Sequence, residues 1–299
     1  MITELYLLNY SFKYQQDITI EEIEKKIESL FEDYDFIKEH DDKILKHNSI
    51  YDEVIYPDLM LWEFLYDKNK GKNFSRDIKK FLLKIIDHSE STHRTVEEII
   101  QRLDKHHEAT IYGLLCLHEV KSIEEKYLVY NRHNWFAFHR YFLGQYPISE
   151  NHFYHECQKY FPQLFFHDRV EETLKGLEKG LHDFSKIIVH HLTLLNDEFC
   201  EYYNQSNRIG SLNKFSSACQ VDASPQGNAK DKPNMTFEFM NDSNVKEPVC
   251  CEPHLKLGKS DDSGNSHYYF NRIYFHEGKE KIANGRILIA HIGKHIQFD

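Results

Sequence analysis

The 299-residue chain lacks the short signatures that announce nucleotide hydrolysis or α/β-hydrolase chemistry. It has no phosphate-binding glycine loop, no dinucleotide fingerprint, no G-x-S-x-G elbow and no kinase signature, so such an activity would have to be brought by a partner. No apolar run approaches the roughly 18 residues that a bilayer crossing demands, and no membrane contact is expected. Nor does a cleavable signal stretch open the sequence. Cysteine is sparse: Cys116, Cys157, Cys200, Cys219, Cys250 and Cys251 show no regular spacing and form no C-x-x-C pair. Reduced thiols and a cytoplasmic location are the expectation. Adjacent cysteines on a strand point to opposite faces, which argues against zinc held by Cys219, Cys250, Cys251 and His254. The C-terminal segment also has too few carboxylates for a divalent-metal nuclease, so neither a metal nor another cofactor is expected.

What is present is a hydrophobic fraction of 40% and a net charge of −11, unevenly spread. Residues 1–210 hold 37 acidic and 26 basic side chains, whereas residues 211–299 hold 11 of each. This break suggests two domains, 1–205 and 206–299. An acidic surface repels nucleic-acid backbones, which are gripped by Lys and Arg that replace counterions. The first domain therefore reads as a scaffold or docking surface for a protein partner.

Periodicity predicts an α+β fold: a mainly helical N-terminal domain with one long helix, and a small C-terminal antiparallel β-sheet domain. Residues 1–14 have a strand-like apolar start. Thr19, Ser75 and Thr95 are placed to cap helices, Glu98 completing a capping box with Thr95. Residues 109–118 are apolar enough for a buried helix, and a further helix starts at Ser149 and stops at Phe161-Pro162. From about 168 to 203, apolar residues from Val170 to Tyr202 recur every three or four positions, which predicts one long helix. Its stripe packs on its own domain, or pairs with a second copy in a homo-oligomer. Residues 204–232 read as linker. Strand signals follow at 236–240, 250–257, 267–276 and 286–292, with Asn284-Gly285 as a hairpin turn.

The chemistry-bearing residues cluster in those last strands. At strand period His254 shares a face with Lys256, Arg272 with Tyr274 and His276, and Ile287 with Ile289 and His291. Cleaving RNA without metal requires a base for the 2′-hydroxyl, an acid for the leaving oxygen and cations for the phosphorane charge. Glu252 or His254 is the candidate base, Lys256 and Arg272 the charge clamps, and His276, His291 or His295 the acid. Tyr268, Tyr269 and Tyr274 are candidates for stacking bases or touching phosphate. Gly293 beside Lys294 either lets the backbone approach a phosphate or ends the strand. Arg102 with His107, and Arg132 with His139 in a run containing His133 and Asn134, match the R-x4–6-H spacing of helical HEPN-type ribonucleases. Two such matches are expected by chance, and the second run reads better as core packing.

The stretches Cys251–Leu257, Arg272–Phe275 and Ile289–Ile296 resemble the C-terminal ending of an uncharacterised bacterial family associated with mobile or anti-phage loci. A small sheet carrying His, Lys, Arg and Tyr after a helical segment is also similar, at fold level, to RelE and barnase-like ribonuclease toxins. The resemblance implies a recurring module and no established activity; the leading expectation for the chain is a toxin or defence effector. The expectation is a metal-independent ribonuclease site at Glu252, His254, Lys256, Arg272, Tyr274, His276, His291 and His295. Two alternatives stand: a non-enzymatic adaptor of a multi-protein defence complex, or a HEPN-type helical ribonuclease.

Overall fold

The computed structural model describes residues 1–105, 110–225, 229–258 and 271–296. The chain divides into two compact units, Met1–His139 and Arg140–Asp299.

In chain order the first unit contains β1 (Ile2–Leu7), α1 (Ile20–Glu39), β2 (Lys43–Lys46), β3 (Val54–Tyr56), β4 (Leu59–Met60), α2 (Leu61–Tyr66), α3 (Arg76–Asp87), β5 (Glu90–Ser91), α4 (Val96–Leu103), β6 (Thr110–Leu115) and β7 (Leu128–Val129). It ends within α5 (Arg132–Gln145). Five of these strands form a parallel sheet in the order β5-β2-β1-β6-β7. This overturns the expectation of a mainly helical N-terminal domain. Parallel strands joined through crossovers are buried on both faces, so they read as unbroken apolar runs without alternation. Leu5, Tyr6, Leu7 and Leu8 are all fully buried, as are Leu114 and Leu115. The segment expected as a buried helix at 109–118 is for that reason the strand β6.

The helix caps behave as their chemistry requires. Thr19 and Thr95 accept from the backbone N–H of Glu22 and Glu98, and each glutamate returns a bond to the cap backbone. Ser75 accepts from Asp77 N. Helices α1 and α3 meet through the stacked rings of Phe31 and Phe81, 4.5 Å apart. Phe138 of α5 sits directly over Gly113 of β6; a Cβ there would lie 2.6 Å from its ring.

The second unit continues with α6 (Glu150–Tyr160), β8 (Leu164–Phe166), α7 (Val170–Leu174), α8 (Leu181–Asp197), α9 (Phe199–Tyr202), α10 (Arg208–Cys219), β9 (Ala223–Ser224), β10 (Thr236–Met240), β11 (Lys246–Cys250), β12 (His254–Lys256), β13 (Asn271–His276) and β14 (Ile287–Lys294). Its main sheet runs β8-β14-β13-β12-β9, antiparallel except for the parallel pair β8 and β14. The pair β10 and β11 forms a separate antiparallel ribbon.

The long helix expected over 168–203 is three helices. Lys179 and Gly180 take φ of 67° and 84°, a left-handed conformation that no α-helix propagates, and Glu198 at φ −121° breaks the run again. The apolar stripe itself is buried as its spacing indicated, from Val170 and Leu174 through Ile188, Leu192 and Leu195 to Phe199. The charge break near residue 210 falls inside α10, and β8 reaches into the main sheet from upstream of it. Asn284 and Gly285, with φ of 55° and 80°, lie in the second of two turns in the connection from β13 to β14, the first being closed by the Lys279–Ile282 bridge.

Candidate functional site

Two of the faces that sequence periodicity proposed separately, that of His254 and that of Arg272 and Tyr274, coincide on the main sheet of the second unit; His291 joins them, but a register shift puts Ile289 opposite Phe275 on the other face. Ser224 of β9 stands opposite His254 of β12, His254 opposite Tyr274 of β13, and Tyr274 opposite His291 of β14. Directly opposed residues share a face, so the four side chains form one row across four strands. The rings touch in sequence: His254 and Tyr274 have centroids 5.2 Å apart, Tyr274 and His291 5.5 Å, and Tyr274 and His295 6.4 Å. Beside this row runs a second, in which Lys256 faces Arg272 and Arg272 faces Gly293. Both faces are covered: Tyr274 packs in an apolar cluster with Met235, Phe237, Phe239 and Val249, and on the opposite face Phe275 meets Phe199 edge-on at 5.4 Å.

His254 has a defined tautomer. Its Nδ1 lies 3.1 Å from the carbonyl oxygen of Glu252, to which only an N–H can bond. Nε2 is then a lone pair, and Ser224 Oγ, 3.2 Å away, donates to it. Burial lowers the His254 pKa to about 4, with Arg272 pressing it the same way, so the ring is a neutral base at pH 7. His291 is also lowered to about 4 by burial, and its Nε2 donates to Lys294 O at 2.7 Å. Burial raises the Tyr274 pKa, which keeps the phenol protonated, and Arg272 Nη1 lies 3.5 Å from its oxygen.

Several expected residues take other roles. Lys256 Nζ pairs with Asp222 at 2.9 Å, and Glu252 pairs with Lys232 at 2.9 Å. A register shift between Tyr274 and Phe275 places His276 opposite Leu288 and so breaks the simple alternation along β14. His276 turns to a neighbouring group: its Nδ1 accepts from Gly278 N at 3.1 Å, and its Nε2 lies 3.9 Å from Glu277. Glu277 accepts from Nε and Nη2 of Arg208, each at 2.8 Å. Gly293 serves packing, since a Cβ there would collide with the carbonyl oxygen of Thr173 in α7. Tyr268 and Tyr269 lie outside the described residues.

The row is closed in this conformation. His254, Tyr274 and His291 are exposed by only 3%, 0% and 7%. Next to it a cleft of about 380 Å³ is lined by Asn207, Arg208, Pro225, Glu252, Pro253 and Glu277. Three of these flank Ser224 or His254 in the chain. Ser224, Asp222, Arg208 and Glu277 were not singled out in the sequence, where nothing in their spacing distinguishes them from ordinary surface residues. Among the described residues, no group of three or more His, Cys, Asp or Glu side chains is arranged to hold a metal ion. All six cysteines are free.

The R-x4–6-H runs belong to the first unit. His139 is fully buried and its Nε2 lies 2.9 Å from Asp42, to which Trp135 Nε1 donates at 2.7 Å. Arg132 faces Asp33 at 3.4 Å and covers the ring of Phe36. The aromatic run thus packs the core. Arg102 covers the ring of Tyr112, and His107 lies outside the described residues.

Compared with family models, curated proteins and solved structures, the chain has no match. Among the described residues no helix is long and apolar enough to cross a membrane.

Proposed function

We propose that the second unit carries a metal-independent ribonuclease centre, and that the protein serves as a toxin or defence effector. The observation that carries the chemistry is the Ser224–His254 contact. A neutral imidazole, its tautomer fixed by a carbonyl, holds its lone pair against a hydroxyl. Ser224 Oγ occupies the place from which an RNA 2′-hydroxyl would give up its proton. In the reaction His254 Nε2 takes that proton as the 2′-oxygen attacks phosphorus. Tyr274 returns a proton to the departing 5′-oxygen, leaving a 2′,3′-cyclic phosphate and a 5′-hydroxyl. Arg272 and Lys256, in the adjacent row, bear the charge that grows on the phosphorane. The role in defence rests on the C-terminal resemblance.

Access requires two covers to open: β9 over His254, and the apolar cluster of Met235, Phe237, Phe239 and Val249 packed on Tyr274. Strand β9 has two residues and is held to β12 by two register pairs and by the Lys256–Asp222 ion pair.

A second reading, a non-enzymatic adaptor, is favoured by the burial of His254, Tyr274 and His291. Incubating the purified full-length chain with RNA in the presence of a chelator separates the two. Fragments ending in cyclic phosphate, abolished by His254→Gln in a folded protein, support the ribonuclease. Intact RNA, with growth inhibition unchanged by the same substitution, supports the adaptor.

A further inference from the structure

The first unit holds a crevice at the one point where its sheet topology calls for a ligand. From β1 the chain moves outward through β2 to β5, then returns to the other side of β1 to add β6 and β7. The direction of winding therefore reverses between β1 and β6. In parallel sheets the loops leaving two such strands diverge, one to each face, and leave a gap beyond their carboxyl ends. Here that gap is a crevice of about 540 Å³, a size usual for small-molecule sites. Its walls come from the loop after β1 (Tyr10, Lys13, Tyr14, Gln15) and the loop after β6 (His118, Lys121).

The loops are tied to each other and to their surroundings. Leu117 N donates to Ser11 O at 2.7 Å, Gln15 Nε2 reaches Glu119 O at 3.3 Å, and Tyr14 N donates to Val54 O at 2.8 Å. Into this frame projects His118, which is 6% exposed. Its imidazole bonds the backbone of Lys13, and its buried Nδ1 has no hydrogen-bond partner among the described residues. Burial, reinforced by the charge of Lys26, lowers its pKa to about 4. The ring is neutral at pH 7 and so carries one acceptor nitrogen, and Nδ1 is the nitrogen left without a partner. A buried acceptor left unpaired is unfavourable, and a ligand hydroxyl would relieve it.

From this geometry we infer that the crevice binds a ribonucleoside monophosphate. The ribose hydroxyl donates to His118 Nδ1, Lys13 and Lys121 hold the phosphate, and the base lies against Tyr10 or Tyr14. Lys13 and Lys121 outnumber the single lining carboxylate, Glu119, in an otherwise acidic unit. A dinucleotide is excluded by the turn itself. The residues after β1 are Leu8-Asn9-Tyr10-Ser11, without the glycines that let a backbone approach a pyrophosphate.

The test is calorimetric titration of the full-length chain with AMP, adenosine, inorganic phosphate and 2′,3′-dideoxy-AMP. AMP is expected to bind, with adenosine, phosphate and the dideoxy analogue each weaker by about tenfold or more. The double variant Lys13→Ala/Lys121→Ala, altered only at exposed side chains, is expected to unfold at the wild-type temperature and to lose AMP by a similar factor. No heat with AMP, equal affinity for adenosine, equal affinity for the dideoxy analogue, or an unaffected double variant would each overturn the assignment. None of these results depends on whether the second unit cleaves RNA.

Discussion

Ser224 Oγ lies 3.2 Å from Nε2 of His254, whose Nδ1 is committed to the carbonyl of Glu252. One contact thus records both the protonation state of the ring and the direction from which a substrate must come. If Ser224 is a stand-in for the substrate hydroxyl, Ser224→Ala leaves RNA cleavage intact or faster. Loss of the hydrogen bond costs the fold only about 1 kcal/mol. If Ser224 were itself a nucleophile, the same variant would be inactive. Parallel cleavage assays and thermal melts of the variant decide this.

The low pKa of His254 sets the pH profile of the proposed reaction. Because the ring stays neutral down to about pH 4, the acidic limb of kcat/KM is expected to fall with an apparent pKa near 4. A limb centred near 6.5 would show that an ordinary, solvated histidine is the base.

The same shift appears in stability. His254 and His291 are depressed from 6.5 to about 4 by burial, so below pH 6.5 the unfolded chain takes up protons that the folded chain refuses. Their contribution is fully present above pH 6.5 and is lost as pH falls toward 4, on the order of 3 kcal/mol for each ring. Denaturant midpoints measured across this window are expected to fall steeply for wild type and less steeply for His254→Gln.

Gly293 packs against the Thr173 carbonyl, where a methyl group has no room. Gly293→Ala is expected to lower stability by about 1–3 kcal/mol, by forcing α7 away from β14. Chemical denaturation of the variant measures it directly. A melting temperature equal to wild type would contradict this packing.

In the first unit, burial alone would raise the Asp42 pKa. The charge and hydrogen bond of His139, with bonds from Trp135 and Thr3, outweigh it and hold the carboxyl below its usual 3.8. This stabilisation is present above that value and is lost as pH falls through the lower, folded one. Asp42→Asn is expected to destabilise the protein by about 1–3 kcal/mol at pH 7 and to flatten the acid limb of stability below pH 4.

Local chemistry was legible in the sequence where it is decided locally. Thr19, Ser75 and Thr95 cap the helices their side chains indicated, and Asn284-Gly285 turns the chain. Period-two reading placed His254 with Lys256 and Arg272 with Tyr274, although only strand pairing brought those faces together. What decides the first unit is long-range. Segments such as Leu5–Leu8 and Ile111–Leu115 are apolar throughout because both faces are covered, and a buried strand and a buried helix then look alike. The order of strands, and with it the crevice holding His118, is set by crossovers that leave no short motif. The bulge in β14 opposite Tyr274 that separates His291 from the face of Ile289, and the left-handed residues at 179 and 180 that divide the long helix, were outweighed in the sequence by the regular apolar spacing around them.

The most direct measurement is the end chemistry and rate of RNA cleavage by the purified full-length chain, wild type against His254→Gln, with chelator present and folding checked by melting. The account predicts 2′,3′-cyclic phosphate and 5′-hydroxyl ends from the wild type and at least a hundredfold slower cleavage by the variant, in keeping with loss of a general base. Equal cleavage by the two proteins, or none by either, would contradict it.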